Sequence, residues 1–277
     1  MRYMGIVPEL PEVETVVRGL APVLTGRRLT RVLANRPDLR RPIPHDLARR
    51  LAGARVLSVT RRAKYGLIAT DRGDTLLFHL GMSGRMRLDP VDASAHDHVV
   101  FEVEGGHRVV LTDPRRFGLL ALARTDALAA HPLLAGLGVE PLGPALGTAY
   151  LAGRFAGRVA PVKALLIDQR IVAGVGNIYA SESLFRARIH PAREAGTLSR
   201  AEIAALVRAL KATLREAIAA GGSSLRDHVQ LDGTLGLFQH AWRVYARGGD
   251  PCPACATPIE RSVQSGRSSF FCGECQN

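Results

Sequence analysis

Aromatic side chains are scarce in this chain of 277 residues: they make up 5%, with a single tryptophan. Its core must therefore be largely aliphatic, and a hydrophobic fraction of 47% is enough to exclude disorder as the default state. No run of about 18 apolar residues occurs, which argues against a membrane-spanning helix. The short Met1–Val7 leader lacks the apolar region of a signal peptide, so a cytoplasmic location is expected. Cysteine is absent before Cys252, which rules out a disulfide framework spread along the chain. Acid is in deficit as well. Lysine and arginine total 37 against 25 acidic residues, a net charge of +12, and arginine carries most of the excess. Such a surface suits a polyanion, nucleic acid first. The length is enough for two domains and a sizeable core.

The block Pro8-Glu9-Leu10-Pro11-Glu12-Val13-Glu14-Thr15 reads as a helix entrance. Pro11 is tolerated in a first turn, and Glu12 and Glu14 complement the positive end of the helix dipole. Val13, Val16, Val17 and Leu20 fall on one face, and Gly19 is expected to weaken the end. Helix formation leaves Pro8-Glu9 unexplained. A proline at a chain terminus carries a secondary amine that can attack an anomeric carbon. The α-amino reference pKa of about 7.7–8.0 leaves part of it neutral near pH 7. A neighbouring glutamate could act as acid or base. Behind Val7, however, the Pro8 nitrogen is an amide and has no nucleophilicity. A GTG start codon at Val7, read as methionine and then trimmed, resolves the conflict and predicts an active chain that begins at Pro8.

From Val56 the period becomes that of strands, over Val56–Val59, Gly66–Thr70 and Thr75–Phe78, with a turn at Asp71–Asp74. His98–Glu104 and Arg108–Thr112 read as a hairpin around Gly105-Gly106, and a short helix is expected at Asp46–Leu51. An antiparallel β-sandwich follows for the first half. Three loops, 61–65, 79–85 and 113–118, mix cations, glycines and apolar side chains. Together they resemble a phosphate-binding wall with apolar wedges able to open a base stack.

The second half turns helical. Val162–Ile167 and Ile178–Ala187 flank Val172–Asn177, whose glycines let backbone N–H groups approach an anion and whose Asn177 could cap the next helix. Ser199 and Glu202 have capping-box spacing ahead of a helix that buries Ile203, Leu206, Val207, Leu210, Leu214 and Ile218 and ends at Gly221. A glycine-containing loop runs from Gly221 to His240, with Phe238, Trp242 and Tyr245 as anchors of its far end. Cys252-Pro253-Ala254-Cys255 and Cys272-Gly273-Glu274-Cys275, 16 residues apart, have the spacing of a tetrahedral structural zinc site; disulfides are the alternative. Arg261, Arg267, Ser268 and Ser269 lie between the two pairs.

The N-terminal block, the internal loops and the four-cysteine finger together resemble bacterial formamidopyrimidine-DNA glycosylase from Pro8 onward, with five motifs in the family's order. The resemblance implies an α+β chain: a β-sandwich catalytic domain over 8–140, a helix-two-turns-helix DNA-binding domain over 141–240 and a zinc finger over 244–277. DNA would lie in the cleft between. It implies removal of oxidised purines, 8-oxoguanine and formamidopyrimidines, followed by strand cleavage at the abasic site. Pro8 matches the nucleophile, Glu9 the proton donor, Lys64 the lysine that assists elimination, and Arg267 the finger arginine of the second elimination. Met82, Arg115 and Phe117 match the side chains that fill the gap left by a flipped nucleotide. His96 and Arg158 match further DNA contacts, Lys163 and Asn177 phosphate contacts, and 221–240 the loop that closes over the base. Cys252, Cys255, Cys272 and Cys275 would hold one structural Zn2+, and the partner would be double-stranded DNA bearing oxidised bases or abasic sites, bound by a monomer with no membrane involved. The competing readings are a related endonuclease preferring oxidised pyrimidines and a non-catalytic zinc-finger protein that binds damaged DNA. Leu10 and the Met82/Arg115/Phe117 set favour the purine branch.

Overall fold

The computed structural model describes residues 7–223, 236–264 and 266–277. The expected closing loop at 221–240 thus falls for the most part outside the described residues. The chain forms two compact units, one running to Ala135 and including Ala220–Gln239, the other comprising Gly136–Ala219 and His240–Asn277. Of the described residues, 220–223 and 236–239 group with the first unit.

The first unit opens with α1 (Leu10–Leu24), which buries Leu10, Val13, Val16, Val17, Leu20 and Leu24. The helix runs through Gly19 and stops at Leu24, because packing of that aliphatic stripe outweighs the cost of one glycine, about 1 kcal/mol. Next come β1 (Leu29–Ala34), α2 (Leu47–Leu51), β2 (Val56–Arg62), β3 (Tyr65–Thr70), β4 (Asp74–His79), β5 (Arg85–Leu88), β6 (Asp97–Val103), β7 (His107–Thr112) and β8 (Leu119–Arg124). They pair antiparallel as two four-stranded sheets, β1-β6-β7-β5 and β2-β3-β4-β8. The sandwich stands as expected. Its core joins Leu76 and Phe78 of one sheet to Val99, Phe101, Val109 and Leu111 of the other, with the valines of α1 packed in. Strands β1 (LTRVLA), β5 (RMRL) and β8 (LLALAR) show no strict apolar–polar alternation, so their period is hard to see in sequence.

The second unit contains α3 (Thr148–Phe155), α4 (Val162–Leu166), α5 (Asn177–Ala187), α6 (Arg200–Ala219) and the hairpin β9 (Glu260–Gln264) and β10 (Arg267–Phe271). The capping box of α6 is present: Glu202 accepts the Ser199 N–H at 2.7 Å, and Ser199 accepts the Glu202 N–H at 3.3 Å. Ile218 is only half-buried, and Ala217 takes the inward position instead. Helix α5 is buried from Ile178 to Phe185, including the polar Ser181, Glu182 and Ser183. Among the described residues, no helix is long and apolar enough to cross a membrane.

Glu182 explains how the finger is attached. Its carboxylate has no solvent exposure and accepts the N–H groups of Arg243, Val244 and Tyr245 at 3.0, 3.0 and 2.8 Å. Burial pushes its pKa up, and the three amides pull against that rise. Consecutive N–H groups converging on one carboxylate form a fixed anion nest, which pins the chain as it enters the finger. Trp242 and Tyr245 then pack edge-to-face at 5.0 Å, and Tyr245 meets Phe270 at 5.3 Å. These two rings serve the finger, while Phe238 is buried with the first unit. Replacing Glu182 with alanine leaves three buried amides without an acceptor. That should cost about 3 kcal/mol, read as a lower melting temperature together with faster zinc loss to a chelator; an unchanged melting curve would show that the nest contributes nothing.

Candidate active site and nucleic-acid interface

Pro8 is buried and immediately precedes Glu9, the N-cap of α1, which is only 3% exposed. Glu9 and Glu12 form a capping box, with Glu12 accepting the Glu9 N–H at 2.9 Å. Glu12 is 1% exposed and also accepts the Ser223 N–H at 2.8 Å. A Cβ on Gly222 would come within 3.3 Å of the Glu12 backbone and side chain, and its φ is +81°, so the approach needs glycine. One carboxylate thus fixes both the tip carrying Pro8-Glu9 and the segment at Gly222-Ser223. The sequence reading took Glu12 as a helix-dipole charge only.

Lys64 occupies a two-residue turn closed by the Arg62–Tyr65 pair of β2 and β3, with Ala63 at φ 53°. Helix α1 braces this turn. Arg61 donates to Glu14 at 2.9 Å and to the Ala63 carbonyl at 2.9 Å. Burial alone would raise the Glu14 pKa, but hydrogen bonds from Arg18 and Arg61 outweigh it and hold the carboxyl low. Near the same turn His79 stacks obliquely on Tyr65 at 5.1 Å and accepts the Gly81 N–H on Nδ1 at 3.0 Å. Burial first, then the charges of Lys64 and Arg40, pull His79 down to about 4. It is neutral at pH 7 and serves to shape the loop that carries Met82.

That loop holds half-buried Met82, while the 113–118 loop exposes Arg115 and Phe117; the Arg115 guanidinium lies 4.7 Å over the Phe117 ring. Phe117 is 42% exposed, an unusual position for a phenylalanine, and Arg116 between them has φ 58°. His96 is exposed on the neighbouring loop.

In the second unit Arg158 and Arg267 are exposed. Lys163 and Asn177 both reach the finger hairpin. The Lys163 ammonium is 2% exposed and donates to the Ser268 carbonyl at 2.9 Å and to Ser269 Oγ at 2.7 Å. Asn177 donates to the same Ser268 carbonyl at 2.8 Å, and Gly176 is the N-cap of α5 in its place. Both side chains therefore hold the strand next to Arg267. Asn177 therefore does not take the capping position of α5 that the sequence reading expected; it occupies the first helical position.

The four cysteine sulfurs lie within 4.8 Å of one another, with Cys252–Cys275 at 3.9 Å and Cys255–Cys272 at 3.4 Å. Disulfides need about 2.05 Å, so the alternative of paired bridges is removed. Four ligands at about 2.3 Å around a tetrahedral ion stand about 3.8 Å apart, which these spacings fit. Cys275 is pushed up to about 12, first by its hydrogen bond with Cys255, whereas Cys255 is drawn down to about 6, first by Thr257. Thiols this close oppose one another's ionisation, and a divalent cation removes that conflict by taking thiolates as ligands.

A four-cysteine finger bearing an exposed arginine, an exposed Arg115–Phe117 stack and a capped Pro-Glu tip suit a DNA-processing enzyme with a structural metal centre. The comparisons agree. The chain matches the Formamidopyrimidine-DNA glycosylase N-terminal domain over residues 7–120, the H2TH domain of that glycosylase over 137–229, and the zinc finger found in FPG and IleRS over 249–277. It is 57% identical to the formamidopyrimidine-DNA glycosylase of Novosphingobium aromaticivorans and 56% to that of Cereibacter sphaeroides, each match covering 98% of this chain and 100% of the relative. The crystal structure of Thermus thermophilus MutM (Fpg) superposes with a TM-score of 0.87 at 42% identity, covering 97% of this chain and 98% of that one. A Lactococcus lactis Fpg complex with Fapy-dG-containing DNA gives 0.90 at 32% identity, covering 98% and 100%. The chain belongs to the formamidopyrimidine-DNA glycosylase family, and its finger is a structural zinc site of one ion.

Two outcomes are expected. Cys272→Ser should abolish stoichiometric zinc and weaken DNA binding; metal analysis of folded, DNA-competent wild type that finds no zinc would contradict the assignment. His79 titrates at about 4 folded against 6.5 unfolded, so its neutral form favours the fold fully above pH 6.5 and that contribution is lost as pH falls through 4. Differential scanning should therefore show a shallower decline in melting temperature from pH 6.5 to 4 in His79→Asn than in wild type. Parallel curves would place that pH dependence elsewhere.

Proposed function

We propose that Pro8 is the nucleophile of this base-excision glycosylase and AP lyase, and that Glu9 is its proton donor and shuttle. The substrate class is double-stranded DNA bearing oxidised purines or abasic sites; related solved complexes hold Fapy-dG DNA and abasic-site DNA. The Pro8 amine attacks C1′ as the C1′–N bond to the damaged base breaks, and the departing base takes up a proton. Ring opening leaves an iminium between Pro8 and C1′. The iminium acidifies the C2′ proton, so its loss expels the 3′ phosphate, and a second proton loss expels the 5′ phosphate. Lys64 and Arg267 supply positive charge to these eliminations. Met82, Arg115 and Phe117 fill the space of the extruded nucleotide, and His96 and Arg158 hold the backbone.

The observation that carries this reading is the tip of α1, where Glu12 immobilises Pro8-Glu9 while Glu14 and Arg61 brace the Lys64 turn from the same helix. We read three functional modules, 8–140, 141–240 and 244–277, acting as a cytoplasmic, nucleoid-associated monomer. The chemistry requires a free Pro8 nitrogen, so the active form begins at Pro8. The family match starting at residue 7 supports that reading. A non-catalytic damage-binding protein and a pyrimidine-preferring endonuclease are the readings it displaces.

Two forms of the protein test it. One begins at Pro8 after methionine removal, and the other retains Met1 with its intact mass verified. Both should bind DNA, and only the first should be trapped by borohydride on an abasic site; equal trapping would assign the chemistry to another amine. Arg267→Ala should retain base excision and the first elimination while losing most of the second, resolved as the ratio of the two cleaved ends on a denaturing gel. Equal loss of all three activities would remove its assigned role.

A further inference from the structure

Asp113 is fully buried, and the described structure gives it no ion-pair partner. Its hydrogen bonds all go to the loops around it. Oδ1 accepts the Ser83 hydroxyl at 2.6 Å, and Oδ2 accepts the Gly118 N–H at 2.8 Å. Its backbone N–H donates to the His96 carbonyl at 3.0 Å, and its carbonyl accepts from His98 Nε2 at 2.8 Å and from the Arg116 N–H at 3.2 Å. Ser83, itself 5% exposed, completes the link by accepting the Arg115 N–H at 3.1 Å. Backbone contact does the rest. A Cβ on Gly81, at φ +66°, would stand 2.3 Å from the Phe117 carbonyl carbon, so the loops of Met82 and Phe117 touch with no room for a methyl group.

We propose that Asp113 and Ser83 are positioning residues that lock the loops of Met82, His96, Arg115 and Phe117 into one rigid wedge. This rests on the reading of Met82, Arg115 and Phe117 as the side chains that replace an extruded nucleotide. Driving an apolar side chain into a base stack costs a few kcal/mol per step. A wedge whose three members moved independently would lose much of that work to ordering its own loops. The carboxylate removes this loss beforehand. Burying it is stable because both of its oxygens are occupied by donors that belong to the loops it organises. Neither side chain touches DNA or reacting atoms in this scheme.

Ser83→Ala removes the hydroxyl from both the Asp113 and the Arg115 side of the link. Asp113→Asn is milder, because the amide oxygen can keep the Gly118 N–H while its nitrogen donates to Ser83. Phe117→Ala, a direct lesion of the wedge, is the reference. Folding is checked by thermal melting, insertion by the fluorescence of 2-aminopurine placed beside the lesion, and chemistry by single-turnover excision of 8-oxoguanine against cleavage at a preformed abasic site. Ser83→Ala should slow insertion and excision by about tenfold, the effect of about 1.4 kcal/mol, and change abasic cleavage much less. Asp113→Asn should fall between it and wild type, and carries the same comparison if Ser83→Ala melts below the assay temperature. Folded variants that insert and excise at the wild-type rate, beside a slow Phe117→Ala, would overturn the clamp; so would equal losses on lesion and abasic DNA. Wild-type excision by Phe117→Ala would overturn the wedge reading beneath it instead.

Discussion

The proposed chemistry depends on keeping residues 8 and 9 still, and the buried carboxylate of Glu12 holds that tip. It accepts backbone N–H groups from Glu9 and from Ser223, residues far apart in sequence. A carboxylate at a helix N-terminus is stabilised by the dipole and by the amides that point at it. The α1 tip is therefore placed relative to the 220–223 and 236–239 segments rather than left as a frayed end. Frayed helix termini are among the least stable parts of a fold, and a nucleophile cannot sit on one and keep its geometry.

The same device recurs through the chain and accounts for its charge. With 37 basic and 25 acidic residues, the protein turns several of its carboxylates inward. Glu12 holds the Pro8-Glu9 tip, Asp113 the loops of Ser83 and Gly118 and Glu182 the entry to the finger, all through N–H or O–H donors. Glu14 does similar work through Arg61. Acids spent on internal donors cannot neutralise the surface arginines, so Arg115, Arg158 and Arg267 remain exposed for a polyanion. Lysine is used in the opposite sense at position 163, where burial against Ser268 and Ser269 orders the finger hairpin. Arg267 thus depends on a buried cation two helices earlier in the chain.

Features with strong local signals were legible in the sequence. The valine stripe of α1, the capping box at Ser199 and Glu202, the Gly105-Gly106 hairpin and the paired cysteine motifs all state their geometry within a few residues, and each is present. Strands β1, β5 and β8 were not legible, because β5 is only four residues long and β1 and β8 lack a strict alternation of apolar and polar residues. Gly19 misled because tertiary burial overrides a local propensity of that size. Glu12, Ser83, Asp113 and Glu182 were missed because most of their partners are backbone amides that the fold brings to them, and a backbone amide leaves no mark in sequence. The contacts of Lys163 and Asn177 with the Ser268 carbonyl were hidden on the same ground, since only the fold brings them together.

The most direct test of the account is to find which nitrogen carries the sugar. The active form would be reacted with abasic duplex under borohydride, digested, and the cross-linked peptide sequenced by mass spectrometry. The account predicts that the reduced adduct sits on the α-nitrogen of Pro8, in a peptide that begins at that residue. An adduct on the side chain of Lys64, or on any lysine, would contradict it.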